Sequence, residues 1–142
     1  MKTQFEPLDL VMLVDDDDTT NFVNKRLLMK LGVAKEIIIK KHGAEALEYL
    51  QEANREGSAY VSPNLIFLDI KMPVMDGFSF LDEYHKLNLG QKRGLIILML
   101  TSSASFYDLE RLKTYEHVKK HFSKALTEAD VKDIMSQYYQ QH

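Results

Sequence analysis

The 142-residue sequence has no cysteine, which removes disulfides, thiolate metal sites and cysteine nucleophiles from consideration. It also lacks a long apolar run. The longest uninterrupted stretch, Leu95 to Leu100, falls far short of the roughly 20 residues that span a bilayer. Met1-Lys2-Thr3-Gln4 does not begin the apolar stretch of a signal peptide. A cytoplasmic protein without membrane contact is expected. An excess of basic charge is missing too: 18 Lys and Arg against 21 Asp and Glu leave a net charge of −3, which argues against a nucleic-acid partner. No repeat, linker or low-complexity tract interrupts the chain. What remains is the material for one core, with 45% hydrophobic and 27% charged residues, the proportions of an ordinary globular fold. At roughly 100–200 residues per domain, a single domain over residues 1–142 is expected, with its core over about 8–140 and no output domain.

The charges are unevenly placed. Asp15 to Asp18 follow the apolar run Val11-Met12-Leu13-Val14, whereas Arg111, Lys113, Lys119, Lys120 and Lys124 gather in the last third. Strand-sized apolar runs recur at Leu10–Val14, Glu36–Lys40, Leu65–Leu68, Leu95–Leu100 and Val118–Phe122. Between them lie segments with apolar residues at three- and four-residue steps, such as Phe22, Val23, Leu27, Leu28 and Leu31, then Ala44, Leu47 and Leu50. Gly32 suits a helix C-cap, Asn64 follows a Ser-Pro break before the third strand, and Thr127 with Asp130 suits a capping box. Parallel neighbours need crossover connections, so alternating strands and helices predict an α/β fold, a doubly wound five-stranded parallel sheet with helices on both faces.

In such sheets ligands bind beyond the carboxyl ends of the strands. Those positions hold Asp15 and Asp16 after the first strand, Asp69 after the third, Thr101 with Ser102 after the fourth, and Lys124 after the fifth. Singly, each has a plain explanation: the aspartates could cap a helix beginning near Thr19, Thr101 could cap another, and Lys124 could simply be solvated. Together they put three carboxylates, a hydroxyl and an ammonium on one edge. Converging carboxylates repel one another unless a cation neutralises them. An all-oxygen donor set suits a hard divalent ion, and Mg²⁺ is commonly held by carboxylates together with phosphate oxygens. Phosphoryl chemistry on an aspartate nucleophile needs these same groups.

These residues resemble the receiver domain of two-component response regulators, in particular its stand-alone, chemotaxis-regulator-like members. The most specific part is Leu65-Ile66-Phe67-Leu68-Asp69-Ile70-Lys71-Met72-Pro73-Val74-Met75-Asp76-Gly77, with Leu13-Val14-Asp15-Asp16, Thr101 and Lys124 in the expected order. The resemblance spans nearly the whole chain and implies a flavodoxin-like strand order 2-1-3-4-5. It implies that Asp69 accepts a phosphoryl group from a phosphohistidine on a sensor histidine kinase or a histidine phosphotransfer protein. Asp16, Asp69 and the backbone carbonyl of Lys71 would hold Mg²⁺ directly, with Asp15 acting through coordinated water. Lys124 and Thr101 would each meet a phosphoryl oxygen. Thr101 moving inward would repack the fourth helix, fifth strand and fifth helix, roughly Ser103–Lys113, Val118–Phe122 and Glu128–Tyr139, where a downstream protein binds. The same face implies a monomer or a phosphorylation-dependent dimer, and the domain is a signalling device rather than a turnover enzyme.

Two positions depart from the family pattern. The usual Lys-Pro is Lys124-Ala125 here, and since a non-proline cis bond costs ~2.5–4 kcal/mol, a strained or rerouted turn is expected. The switch position three before the lysine, often aromatic, holds His121, which would make switching sensitive to pH near neutrality. His117 and His121 share the spacing of helical metal ligands, but on a strand they would lie ~13 Å apart, too far to share an ion. Phe106, Tyr107 and Tyr115 fit either the core or an output surface, and Tyr138, Tyr139 and the terminal Gln-Gln-His are expected to fray.

A second resemblance competes. Asp15-x-Asp17-x-Thr19 is similar to the first motif of haloacid-dehalogenase-type phosphatases, with Asp15 as nucleophile, Asp17 as general acid/base, and Thr101 and Lys124 as later motifs. That reading leaves Asp69 and the Met72–Gly77 turn without a role. A third reading, supported by Ala125, is a degenerate receiver that binds partners without phosphorylation.

Overall fold

The computed structural model describes residues 6–72, 74–87, 89, 96–101, 106–123 and 125–139, with 96–101 and 106 described by their backbone alone. Strands β1 (Leu8–Val14), β2 (Ala34–Lys40), β3 (Leu65–Asp69), β4 (Ile96–Thr101) and β5 (Val118–Ser123) alternate with helices α1 (Asp18–Lys30), α2 (Gly43–Asn54), α3 (Gly77–Lys86), α4 (Phe106–Leu112) and α5 (Glu128–Tyr139). The strands form one parallel sheet in the order β2-β1-β3-β4-β5. Each predicted strand is present, with ends shifted by one or two residues. Ser103–Ser105 of the predicted fourth helix lie outside the described residues.

Successive strand residues point to opposite faces, and the buried residues divide accordingly. Met12, Val14, Ile66 and Leu68 face one way, onto Leu47 and Leu50 of α2, Phe78 and Leu81 of α3, and Leu112 of α4. Val11, Leu13, Leu65 and Phe67 face the other way, onto Leu28 of α1 and Val131, Ile134 and Met135 of α5. Both faces of β1 and β3 are therefore covered, which fits their nearly unbroken apolar runs.

The local signals act as expected. Gly32 has φ 67°, directly after Leu31, the C-cap of α1. At the start of α5, Thr127 N–H donates to Asp130 Oδ2 (3.0 Å) and Asp130 N–H to Thr127 Oγ1 (3.1 Å), a reciprocal cap. Asn64 exchanges bonds with Leu10, its N–H donating to the Leu10 carbonyl (2.9 Å) and its Oδ1 accepting from Leu10 N–H (3.1 Å). Two expectations fail. Tyr138 and Tyr139 do not fray: their hydroxyls donate to the carbonyls of Lys119 (3.3 Å) and Asn64 (3.0 Å), and both rings pack on the α1/α5 core. Burial pushes the Tyr139 phenol up to about 12. The inward face of α1 also differs, because Phe22 and Val23 are exposed while Asn21, Asn24 and Leu28 are buried. Near its N-terminus this helix packs against loop backbone, which needs polar partners that a phenyl or isopropyl group cannot supply.

Candidate functional site

The site grows from the register of the two central strands. Val14 of β1 is paired with Leu68 of β3, so the next rung sets Asp15 beside Asp69. Asp15 N–H continues the ladder to the Lys40 carbonyl of β2 (3.1 Å). Each carboxylate is then steadied by the turn that follows it. Asp15 Oδ1 accepts from Asp17 N–H (2.9 Å), and Asp69 Oδ1 accepts from Lys71 N–H (3.1 Å), the local bonding by which aspartate bends a chain out of a strand. Asp15 and Asp69 are 2% and 1% exposed, and Asp16 is half-buried.

Oxygens of Asp15, Asp16 and Asp69 lie within 4.8 Å of one another, the one such cluster among the described residues. Buried carboxylates this close repel strongly unless a cation joins them, and the donor set is all oxygen, so the site can hold a hard metal ion. The remaining two aspartates serve elsewhere. Asp17 caps α1, accepting from Thr20 N–H (3.2 Å) and from the Thr20 hydroxyl. Asp18 pairs with Lys41 at 2.9 Å, and that hydrogen bond with Asp18 is the main cause holding the Lys41 ammonium above its usual range.

The β3–α3 turn is built tightly. Gly77 N–H donates to the Ile70 carbonyl (3.0 Å), and Asp76 caps α3 by accepting from Ser79 N–H (2.8 Å). Val74 is fully exposed with φ 67°, a left-handed conformation unfavourable to a β-branched side chain. Beside it, Met75 lies so close to Gly43 that a Cβ there would sit 2.8 Å from Met75 Sδ.

Of the residues singled out by sequence, the structure brings Asp15, Asp16 and Asp69 together and places Lys71 on an Asp69 oxygen through its N–H. Thr101 ends β4, one residue past the Leu100 that pairs with Asp69, and is itself paired with Ser123. Its side chain lies outside the described set, as does Lys124 entirely. His121 is exposed on β5 opposite Met99. His117, the residue before β5, packs edge-on to Tyr84 with centroids 5.5 Å apart. Tyr107 is exposed, while Tyr115 turns inward, donating to Asp82 (2.8 Å) and stacking on Phe78. Asn21 and Asn24 escaped the sequence reading. Their signal was an i, i+3, i+7 pattern with Leu28, obscured because amides carried it instead of apolar groups.

The structure is a parallel α/β sheet with an acidic cluster fit for a cation at the carboxyl ends of β1 and β3. The model of the response regulator receiver domain matches residues 11–136, and the chain belongs to that family. A two-component response regulator from Cytophaga hutchinsonii, of known structure, is 27% identical with a TM-score of 0.82, over 94% of this chain and 98% of that one. Response regulator Rcp1 of Synechocystis sp. is 29% identical over 88% of this chain and 82% of its own length. The sensor histidine kinase CheAY of Helicobacter pylori is 30% identical over 78% of this chain, which spans only 13% of that protein. The protein is thus a two-component signalling domain of the phosphorelay type. Among the described residues no helix is long and apolar enough to cross a membrane.

Proposed function

We propose that the chain is a single receiver unit that takes a phosphoryl group onto Asp69, in the cytoplasm, from a phosphohistidine of a sensor histidine kinase or a histidine phosphotransfer protein. The observation that carries this is the convergence of Asp15, Asp16 and Asp69 within 4.8 Å. In the transfer, an Asp69 oxygen forms a bond to phosphorus as the phosphorus–nitrogen bond breaks, and the departing imidazole takes up a proton from water. Asp16, Asp69 and the Lys71 carbonyl would hold Mg²⁺, with Asp15 behind a coordinated water; the ion's role is to offset charge on the phosphoryl oxygens. Asp69 is kept in place by Lys71 N–H and screened from bulk water by its burial. Lys124 and Thr101 are assigned one phosphoryl oxygen each, and hydrolysis of the acyl phosphate resets the domain.

Output is by binding, with no nucleic-acid or membrane contact. A downstream protein reads the face of α4, β5 and α5, where Tyr107, Lys119 and His121 are exposed; His121 is the proposed switch residue alongside Thr101. Dimerisation through the same face on phosphorylation is the alternative output, readable by sedimentation. The phosphatase reading, with Asp15 as nucleophile, is disfavoured because it gives Asp69 no task although Asp69 is as deeply buried in the cluster.

The test is intact mass after incubation with acetyl phosphate, with Mg²⁺ or with chelator. A Mg²⁺-dependent phosphoryl adduct that disappears in Asp69→Ala supports the proposal. No adduct from small donors or from a phosphorylated histidine domain would favour the phosphorylation-independent binding module.

A further inference from the structure

The two buried amides of α1 lie three residues apart, hence on one face of the helix. Asn21 and Asn24 are 2% and 1% exposed, and buried amides of this kind persist where they bond groups that would otherwise go unpaired. Asn21 Nδ2–H donates to the backbone carbonyl of Asp15 (2.8 Å). Asn24 Oδ1 accepts from the backbone N–H of Leu126 (3.1 Å), across 102 residues of chain. One helix face therefore grips the acidic end of β1 and the turn between β5 and α5.

Ala125 is exposed and carries no ring to fix its φ. Leu126 is buried among the α1 and α5 side chains, and Thr127 is held by its exchange with Asp130. The Leu126 N–H, two residues past Lys124 in the chain, is thus bonded to the helix that also holds Asp15. We infer that Asn24 is a positioning residue for phosphoryl uptake: with Asn21 it makes α1 a strut that ties the acidic end of β1 to the Leu126 amide, two residues after Lys124 in the chain. The inference rests on the proposed roles of Asp69 and Lys124. Small displacements of a charge-neutralising group are costly in phosphoryl transfer because the chemistry depends on placement.

The experiment compares rates of adduct formation from acetyl phosphate and Mg²⁺ for the wild-type chain, Asn24→Leu, Lys124→Ala and the double variant, with circular dichroism to follow folding. Leucine matches asparagine in size and lacks the acceptor; Asn24→Ala, which adds no bulk, carries the same comparison should Asn24→Leu not fold. Expected are a slowing of about 10-fold in the single Asn24 variant, no further slowing when Lys124 is already alanine, and faster hydrogen exchange at the Leu126 amide in the Asn24 variants only. Equal slowing in both backgrounds would mean a general structural role and would overturn the inference, as would a wild-type rate in a folded Asn24 variant. If the wild type itself forms no adduct, the functional reading fails and takes this role with it; loss of Leu126 protection in that case still reports the tether by itself.

Discussion

The two sides of the sheet's carboxyl edge are built differently. On the acidic side, β1 and β3 are buried on both faces, and Asp15 and Asp69 each accept from the turn that follows. On the other side, β5 is an edge strand whose residues alternate between half-buried and exposed. Groups that must hold a charge cluster in register need a backbone fixed from all directions. A surface read by a partner needs side chains left open to it.

The largest effect expected is functional: Asp69→Ala should lose phosphoryl uptake altogether, while His121→Ala, on the open side, should keep it and change partner binding, both followed by intact mass and a binding titration. The packing difference should appear in urea unfolding. Phe67→Ala, on buried β3, should cost about 3–5 kcal/mol, whereas Phe122→Ala, half-buried on β5, should cost about 1–2 kcal/mol. Equal losses would contradict the comparison. Relief of backbone strain on the acidic side gives a smaller effect of opposite sign. Val74→Asn should stabilise by roughly 1 kcal/mol, since asparagine tolerates the left-handed conformation that valine does not.

The last effect is a pH dependence. Burial raises the Tyr139 phenol in the folded state to about 12, so the neutral form is favoured by folding. The corresponding stability is complete below the unfolded value of about 10 and is lost as pH rises through the folded one. Tyr139→Phe should remove this component of the decline, and the difference between the two unfolding curves measures it.

The sheet was legible because central parallel strands carry apolar runs that turn signals bound, and their ends then predicted where Asp15, Asp16 and Asp69 would meet. Where the reading failed, tertiary contacts outweighed local pattern. Tyr138 and Tyr139, near the chain's end, read as a fraying tail because nothing local indicated that the carbonyls of Lys119 and Asn64 would accept from them. Phe22 and Val23 read as core because helical spacing cannot distinguish a side chain facing the sheet from one facing water. The matching positions Asn21 and Asn24 needed knowledge of the Asp15 carbonyl and Leu126 amide they serve, and the latter lies at the far end of the chain.

The central claim, that Asp69 is the acceptor and the neighbouring aspartates only assist, is tested most directly by trapping the phosphorylated chain with borohydride and mapping its peptides. Reduction of an aspartyl phosphate leaves homoserine at the residue that carried it. Homoserine at position 69, formed only with Mg²⁺ present, is the predicted result; homoserine at position 15 would contradict the account and assign the pocket to phosphatase-like chemistry.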